Sequence, residues 1–170
     1  IEPTNNSIVS RNVITLDYII EENYLKEVRI LLNNSLLNKT RIKKQSINIT
    51  IPNDGIWVIK ICAVDFKNNS ASKILYLTCD TTEPQIEILN PLNQSKIGTN
   101  TIIINWEAID ELSGIAYFAL SIDSEEWIVI HALNYTLTNL TDGEHTIILR
   151  AYDMAGNFAE KTVVFIVDTT

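Results

Sequence analysis

The feature that most constrains this chain is an internal repeat. Residues Asp142 to Thr170, DGEHTIILRAYDMAGNFAEKTVVFIVDTT, align without a gap on Asp54 to Thr82, DGIWVIKICAVDFKNNSASKILYLTCDTT, 88 residues earlier. Eleven of the 29 paired positions are identical: Asp54, Gly55, Ile59, Ala63, Asp65, Asn69, Ala71, Lys73, Asp80, Thr81 and Thr82, each with its partner 88 later. A fixed period decides architecture, because each copy is one folding unit. The 170 residues therefore divide into two copies, predicted at 1–82 and 83–170. Tandem copies suit a stalk better than an active site.

The signal within each copy is alternation. In the second, Ile102, Ile104, Trp106 and Ala108 share one side of a predicted strand, and Ala116, Phe118, Leu120 and Ile122 one side of the next. Ile86 and Ile88, a short strand at Trp127 to Ile130, Tyr135 with Leu137, Ile147 to Ala151, and Val163 to Val167 complete seven short strands. Turn signals stand at Asn90-Pro91, Asp123-Ser124, Asp142-Gly143 and Met154 to Asn157. No stretch has convincing helical periodicity. The pattern predicts an all-β fold: two tandem seven-stranded sandwiches of immunoglobulin or fibronectin III kind.

The first copy repeats this more weakly. Tyr18 stands where Trp106 does, and Val28, Ile30 and Leu32 are expected to match Ala116, Phe118 and Leu120. Asn68 replaces Gly156 in the last hairpin, and Asn tolerates a left-handed backbone. Glu22 to Lys26 lacks the Ser-Gly pair of the Asp110 to Gly114 loop, so reshaping is expected there. The link Asp80-Thr81-Thr82-Glu83-Pro84 has no Gly, and Pro84 restricts Glu83 to extended backbone. It is expected to hold the copies nearly end to end. Strand parity opposes a bond between Cys62, on an outer face, and Cys79, on an inner one.

Composition narrows the setting. Net charge is −8, which argues against a nucleic-acid partner, and no apolar run is long enough for membrane insertion as a helix. The chain has 18 Asn and 26 Ser plus Thr among 170 residues. Chance spacing predicts about three Asn-x-Ser/Thr sequons, the acceptor signature of exported N-glycosylated chains. Eight occur, at Asn5, Asn33, Asn38, Asn48, Asn68, Asn93, Asn134 and Asn139.

The closing half of the second copy, with Asp153-x-Ala155-Gly156-Asn157 and then Asp168-Thr169-Thr170, resembles immunoglobulin-like repeats of bacterial and archaeal surface proteins. The first copy carries Asp65, Asn69, Asp80, Thr81, Thr82 and Pro84 at the matching places. Asp110 to Ile115 and Ser121 to Asp123 are similar to that family's loop and hairpin. The resemblance implies a sandwich fold, extracellular cell-surface display and a spacer or adhesive role. It carries no catalytic residues.

The expected function is a non-catalytic structural repeat of a large, N-glycosylated surface or surface-layer protein, archaeal by resemblance. Its partners would be neighbouring repeats of the same protein. The alternative is an adhesive module binding cell-surface glycans or proteins, possibly appended to a secreted enzyme. The chain reads as an excised piece, with a third copy expected after Thr170. No nucleophile–histidine arrangement or phosphate loop is legible, and His131, set among apolar residues, reads as structural. No cofactor is required, although calcium has candidate ligands. Asp110, Glu111, Asp123, Glu125 and Glu126 could converge at one end of the second copy, and Asp80 and Glu83 lie in the link. The competing reading is that Asp110 and Asp153 bond their own loop amides. Trp106 and Trp57 have core parity, which leaves Trp127 as the candidate platform for a sugar ring.

Overall fold

The computed structural model describes all 170 residues. It is all-β, and no helix is long and apolar enough to cross a membrane. The chain forms two compact units, Ile1–Thr82 and Glu83–Thr170.

In the first unit the strands are β1 (Ser7–Val9), β2 (Val13–Ile19), β3 (Leu25–Leu32), β4 (Ser35–Thr40), β5 (Lys44–Thr50), β6 (Gly55–Asp65) and β7 (Ser70–Cys79). They make a sheet in the order β1-β7-β6-β3-β4 and a second of β2 with β5. In the second unit they are β8 (Gln85–Asn90), β9 (Lys96–Ile97), β10 (Ile102–Ile109), β11 (Ile115–Ile122), β12 (Ile128–Ile130), β13 (Asn134–Leu137), β14 (Gly143–Asp153) and β15 (Phe158–Val167). Their sheets run β12-β11-β14-β15-β9 and β13-β10-β8. The two-residue β9 had no periodic signal, being too short to show one.

In each unit the inward residues of the two sheets meet in one core. Ile102, Ile104 and Trp106 pack with Phe118, Leu120, Leu149 and Phe165. Ile14, Leu16 and Tyr18 pack with Val28, Ile30, Ile61 and Leu77. Burying such side chains stabilises by roughly 1.5–3 kcal/mol each.

The register of β3 corrects one expectation. Val28 lies opposite Ala63, and Phe118 lies opposite Ala151, the repeat partner of Ala63. Val28 therefore matches Phe118, and Ile30 matches Leu120, two residues off the 88-residue period. β10 runs to Ile109, two residues past the equivalent of β2's last residue, and the hairpin after β3 restores the period. Alternation alone missed this, because a shift of two preserves parity.

Other turns follow residue chemistry. Asn68 adopts φ 68° where Gly156 adopts φ 95°. Gly55 and Gly143, identical in the repeat, sit at φ 142° and 134°, a region hostile to side chains. Cys62 pairs with Ser72 and Cys79 with Gly55, so the sulfurs stand seven residues apart in register and both thiols are free.

Candidate functional site

The second unit concentrates its unusual chemistry on the outer face of β11, β14 and β15. A sheet face opposite the core is usually polar. Here Tyr117 and Tyr152, cross-strand neighbours, stack with centroids 4.7 Å apart and planes 14° from parallel. Phe158 follows at 5.2 Å from Tyr152. The Arg150 guanidinium lies 4.3 Å from the Trp127 ring centre and 5.1 Å from that of Phe158. Its Nε donates to Glu160 at 2.7 Å. The cation thus holds two aromatic rings and a carboxylate together. Glu160 and Tyr152 hold the Arg150 pKa above its ordinary value.

Trp127, the expected sugar platform, is half-exposed but precedes β12 rather than lying within it. Arg150 already occupies the space over one face of its ring. His131 is exposed and meets the Tyr117 ring edge-on at 6.5 Å, which corrects the expected apolar setting. Trp106 is core, 2% exposed, and Trp57 is half-buried against the first unit's core. Sequence reading missed the Tyr117–Tyr152–Phe158 strip. Its signal was aromatic residues at outward parity on three neighbouring strands, visible only once the strand order is known.

The acids expected to gather for calcium do not. Asp110 and Glu111 precede β11, and Asp123, Glu125 and Glu126 follow it. The eight-residue strand between them spans roughly 25 Å. Asp110 Oδ1 accepts from the amides of Ser113 (2.9 Å) and Gly114 (2.7 Å). Asp153, 2% exposed, accepts from the Gly156 and Asn157 amides and from Asn157 Nδ2. Asp110 and Asp153 carboxylate oxygens come within 4.8 Å of one another. Asp80 is fully buried and accepts from the Thr82 amide at 3.2 Å.

Asp123 serves a different purpose. Its Oδ1 accepts from the Thr146 amide at 2.8 Å, and its Oδ2 meets His145 Nδ1 at 2.7 Å. His145 Nε2 meets the Thr141 carbonyl at 2.8 Å. Both ring nitrogens face acceptors, so the imidazolium satisfies both. Burial pushes the His145 pKa down, but the Thr141 carbonyl and Asp123 outweigh it, and the net shift is upward.

Of the sequon asparagines, Asn5, Asn33, Asn48, Asn68, Asn93, Asn134 and Asn139 are exposed, and Asn38 is half-buried. Asn5 Oδ1 accepts from the Tyr76 amide at 2.9 Å, and Asn93 Oδ1 from the Val164 amide at 3.0 Å. The recurrence of this pair one period apart thus has a structural cause.

No family model and no curated protein sequence matches the chain. Solved structures do. The fibronectin(III)-like modules of Clostridium thermocellum CbhA align at TM-score 0.60 and 17% identity, over 98% of this chain and 92% of that one. Immunoglobulin domains 1–4 of Sidekick-1 align at TM-score 0.53 and 16% identity, over 99% of this chain and about half (48%) of that structure. At such identities the likeness concerns the fold, which is all-β and of the immunoglobulin and fibronectin III kind.

Proposed function

We propose that this chain is a non-catalytic, extracellular spacer repeat of a large N-glycosylated surface or surface-layer protein, bordered by further copies of itself. The observation that carries this is what the repeat's identical residues do. Asp54 accepts from the Thr81 and Thr82 hydroxyls, and Asp142 from the Thr169 amide and hydroxyl. Asp65 and Asp153 each close a hairpin on Asn69 and Asn157. Ile59 and Ile147 are fully buried. The shared chemistry ties the chain to itself, as a repeat kept for shape requires. Exposed sequons on both units fit glycan addition.

Expression in a glycosylating host followed by intact-mass measurement tests the reading. Glycan mass lost stepwise on Asn→Gln substitution of the exposed sequons supports it, and a bare chain counts against it. Calorimetric titration tests calcium: binding lost in Asp110→Asn but kept in Asp123→Asn would trace it to the Asp110–Asp153 pair.

The second reading, an adhesive or glycan-binding module, is favoured by the Trp127–Arg150–Phe158 strip. Glycan-array or cell binding abolished by Trp127→Ala would establish it over the spacer reading.

A further inference from the structure

β5 and β13 hold the same place in the two units, and each is hydrogen-bonded on one side only, β5 to β2 and β13 to β10. Which residues face the free edge follows from the alternation of an antiparallel ladder. Asp17 exchanges both backbone hydrogen bonds with Glu2, so its amide and carbonyl point away from β5. Ser46 lies opposite Asp17, Asn48 opposite Thr15 and Thr50 opposite Val13. These three therefore direct their own amides and carbonyls to the free edge. In the second unit the Trp106 amide donates to the Leu133 carbonyl at 3.2 Å, so Trp106 bonds toward β13 and its neighbour Asn105 bonds away. Asn134 lies opposite Asn105 and Thr136 opposite Ile103, which turns their backbone groups to the free edge as well.

Exposed edges are ordinarily blunted by charge, proline or a bulge. These two rows have none of the three. Ser46, Asn48, Thr50, Asn134 and Thr136 are all exposed and uncharged, and neither pairing contains a register shift. Ser46 to Ile51 (SINITI) and Asn134 to Thr141 (NYTLTNLT) lack charge and proline throughout, a composition that favours stacking of like strands. What both rows do carry is a sequon asparagine, Asn48 or Asn134. The two are not repeat partners, since Asn48 matches Thr136 and Asn134 matches Ser46. The repeat thus keeps the acceptor on this row rather than at one residue. Asn105, on a strand paired at both sides, has no sequon. Asn48 Oδ1 accepts from the Thr15 hydroxyl at 3.1 Å, which fixes the side chain and leaves Nδ2 free to carry a sugar.

We propose that glycans on Asn48 and Asn134 sheathe the free edges of β5 and β13, so that a second copy of this chain cannot add a strand there. The proposal rests on the N-glycosylated reading above. An added strand would run about 4.8 Å from the edge backbone, within reach of any sugar attached to that row. A second copy is the matching partner, because an uncharged segment meets its own twin without repulsion.

The test compares the chain from a glycosylating host with its Thr50→Ala/Thr136→Ala variant, which removes both acceptors and leaves both asparagines in place. Ser70→Ala, which removes the hairpin acceptor Asn68, is the control. Peptide mass spectrometry locates the glycans, and sedimentation velocity reads assembly. The parent and the control should stay monomeric, and the double variant should self-associate more tightly by about tenfold or more. Asn48→Lys/Asn134→Lys, equally bare at these sites, should be monomeric again because charge replaces the sugar as the guard. Glycan present at Asn48 and Asn134 with a monomeric double variant overturns this proposal alone. So does glycan confined to other sequons, equal association in Ser70→Ala, or association that persists in the Lys variant. A parent bare at every sequon overturns the glycosylated reading and this proposal together.

Discussion

The two units place the same device at the same spot and build it from different chemistry. In the first, Asn33 Oδ1 accepts from the Val58 amide at 2.8 Å, and Trp57 Nε1 donates to the Asn53 carbonyl at 3.1 Å. In the second, Asp123 accepts from Thr146, the partner of Val58, and His145 bonds the Thr141 carbonyl, the partner of Asn53. A neutral pair became a charged one, with an added Asp123–His145 contact at 2.7 Å. The outer faces differ in the reverse sense. Glu27, opposite Val64, holds Arg29 and holds Lys39 at 2.8 Å, where the second unit stacks Tyr117 on Tyr152. The hydrogen-bonding skeleton of the fold is kept, and the charge on it is free to move.

The largest difference should appear in the core. Tyr18 donates to Gln45 Oε1 and the Ile42 carbonyl, at 3.1 and 3.3 Å, whereas the buried Trp106 Nε1 has no partner. Trp106→Ala should cost about 3–5 kcal/mol, enough to unfold the second unit. Trp106→Phe should cost far less, since it forfeits no hydrogen bond, while Tyr18→Phe leaves Gln45 unpaired. Separate unfolding transitions in calorimetry check the ordering; Tyr18→Phe milder than Trp106→Phe would break it.

Next in size is the hairpin aspartate. Asp153 is buried and its partner Asp65 only half-buried. Asp153→Ala should destabilise the second unit by about 2–3 kcal/mol, because three donors lose a charged acceptor. Asp65→Ala should do less in the first. Equal losses in denaturant titrations would mean that burial does not set the difference.

The units should also respond oppositely to pH. The folded His145 pKa is raised above its ordinary 6.5. Its stabilisation is complete below that value and is lost as pH rises through the folded pKa. The Lys39 and Arg29 hydrogen bonds hold the Glu27 pKa below its ordinary 4.5, against the upward push of burial. Its stabilisation is present above 4.5 and is lost as pH falls through the lower folded value. Warming scans should show the second unit weakening by a few degrees as pH rises above 6.5 and the first weakening in acid. His145→Gln should flatten the alkaline response alone.

The smallest effect concerns Asn68 and Gly156. Asn68→Gly should be nearly neutral, and Gly156→Ala should cost about 1 kcal/mol, since Ala resists positive φ. A loss from Asn68→Gly matching that of Gly156→Ala would show that the Lys26 contact to Asn68, at 2.7 Å, governs the first hairpin.

Much of this was legible because it is local or periodic. The 88-residue repeat, the alternation that buries Ile104 and Leu149, and the Asn68-for-Gly156 exchange depend on a residue and its near neighbours. What the strand order decided was less accessible. Asp110 and Asp123 look close in sequence, but β11 carries them to opposite ends of the sheet. Arg150, Trp127 and Phe158 are scattered along the chain and meet only because β12, β11, β14 and β15 are neighbours. Sequence by itself determined strands, turns and copies through local backbone preference and parity; pairing across the sheets decided which side chains share a site, because those contacts join residues whose separation along the chain carries no pattern.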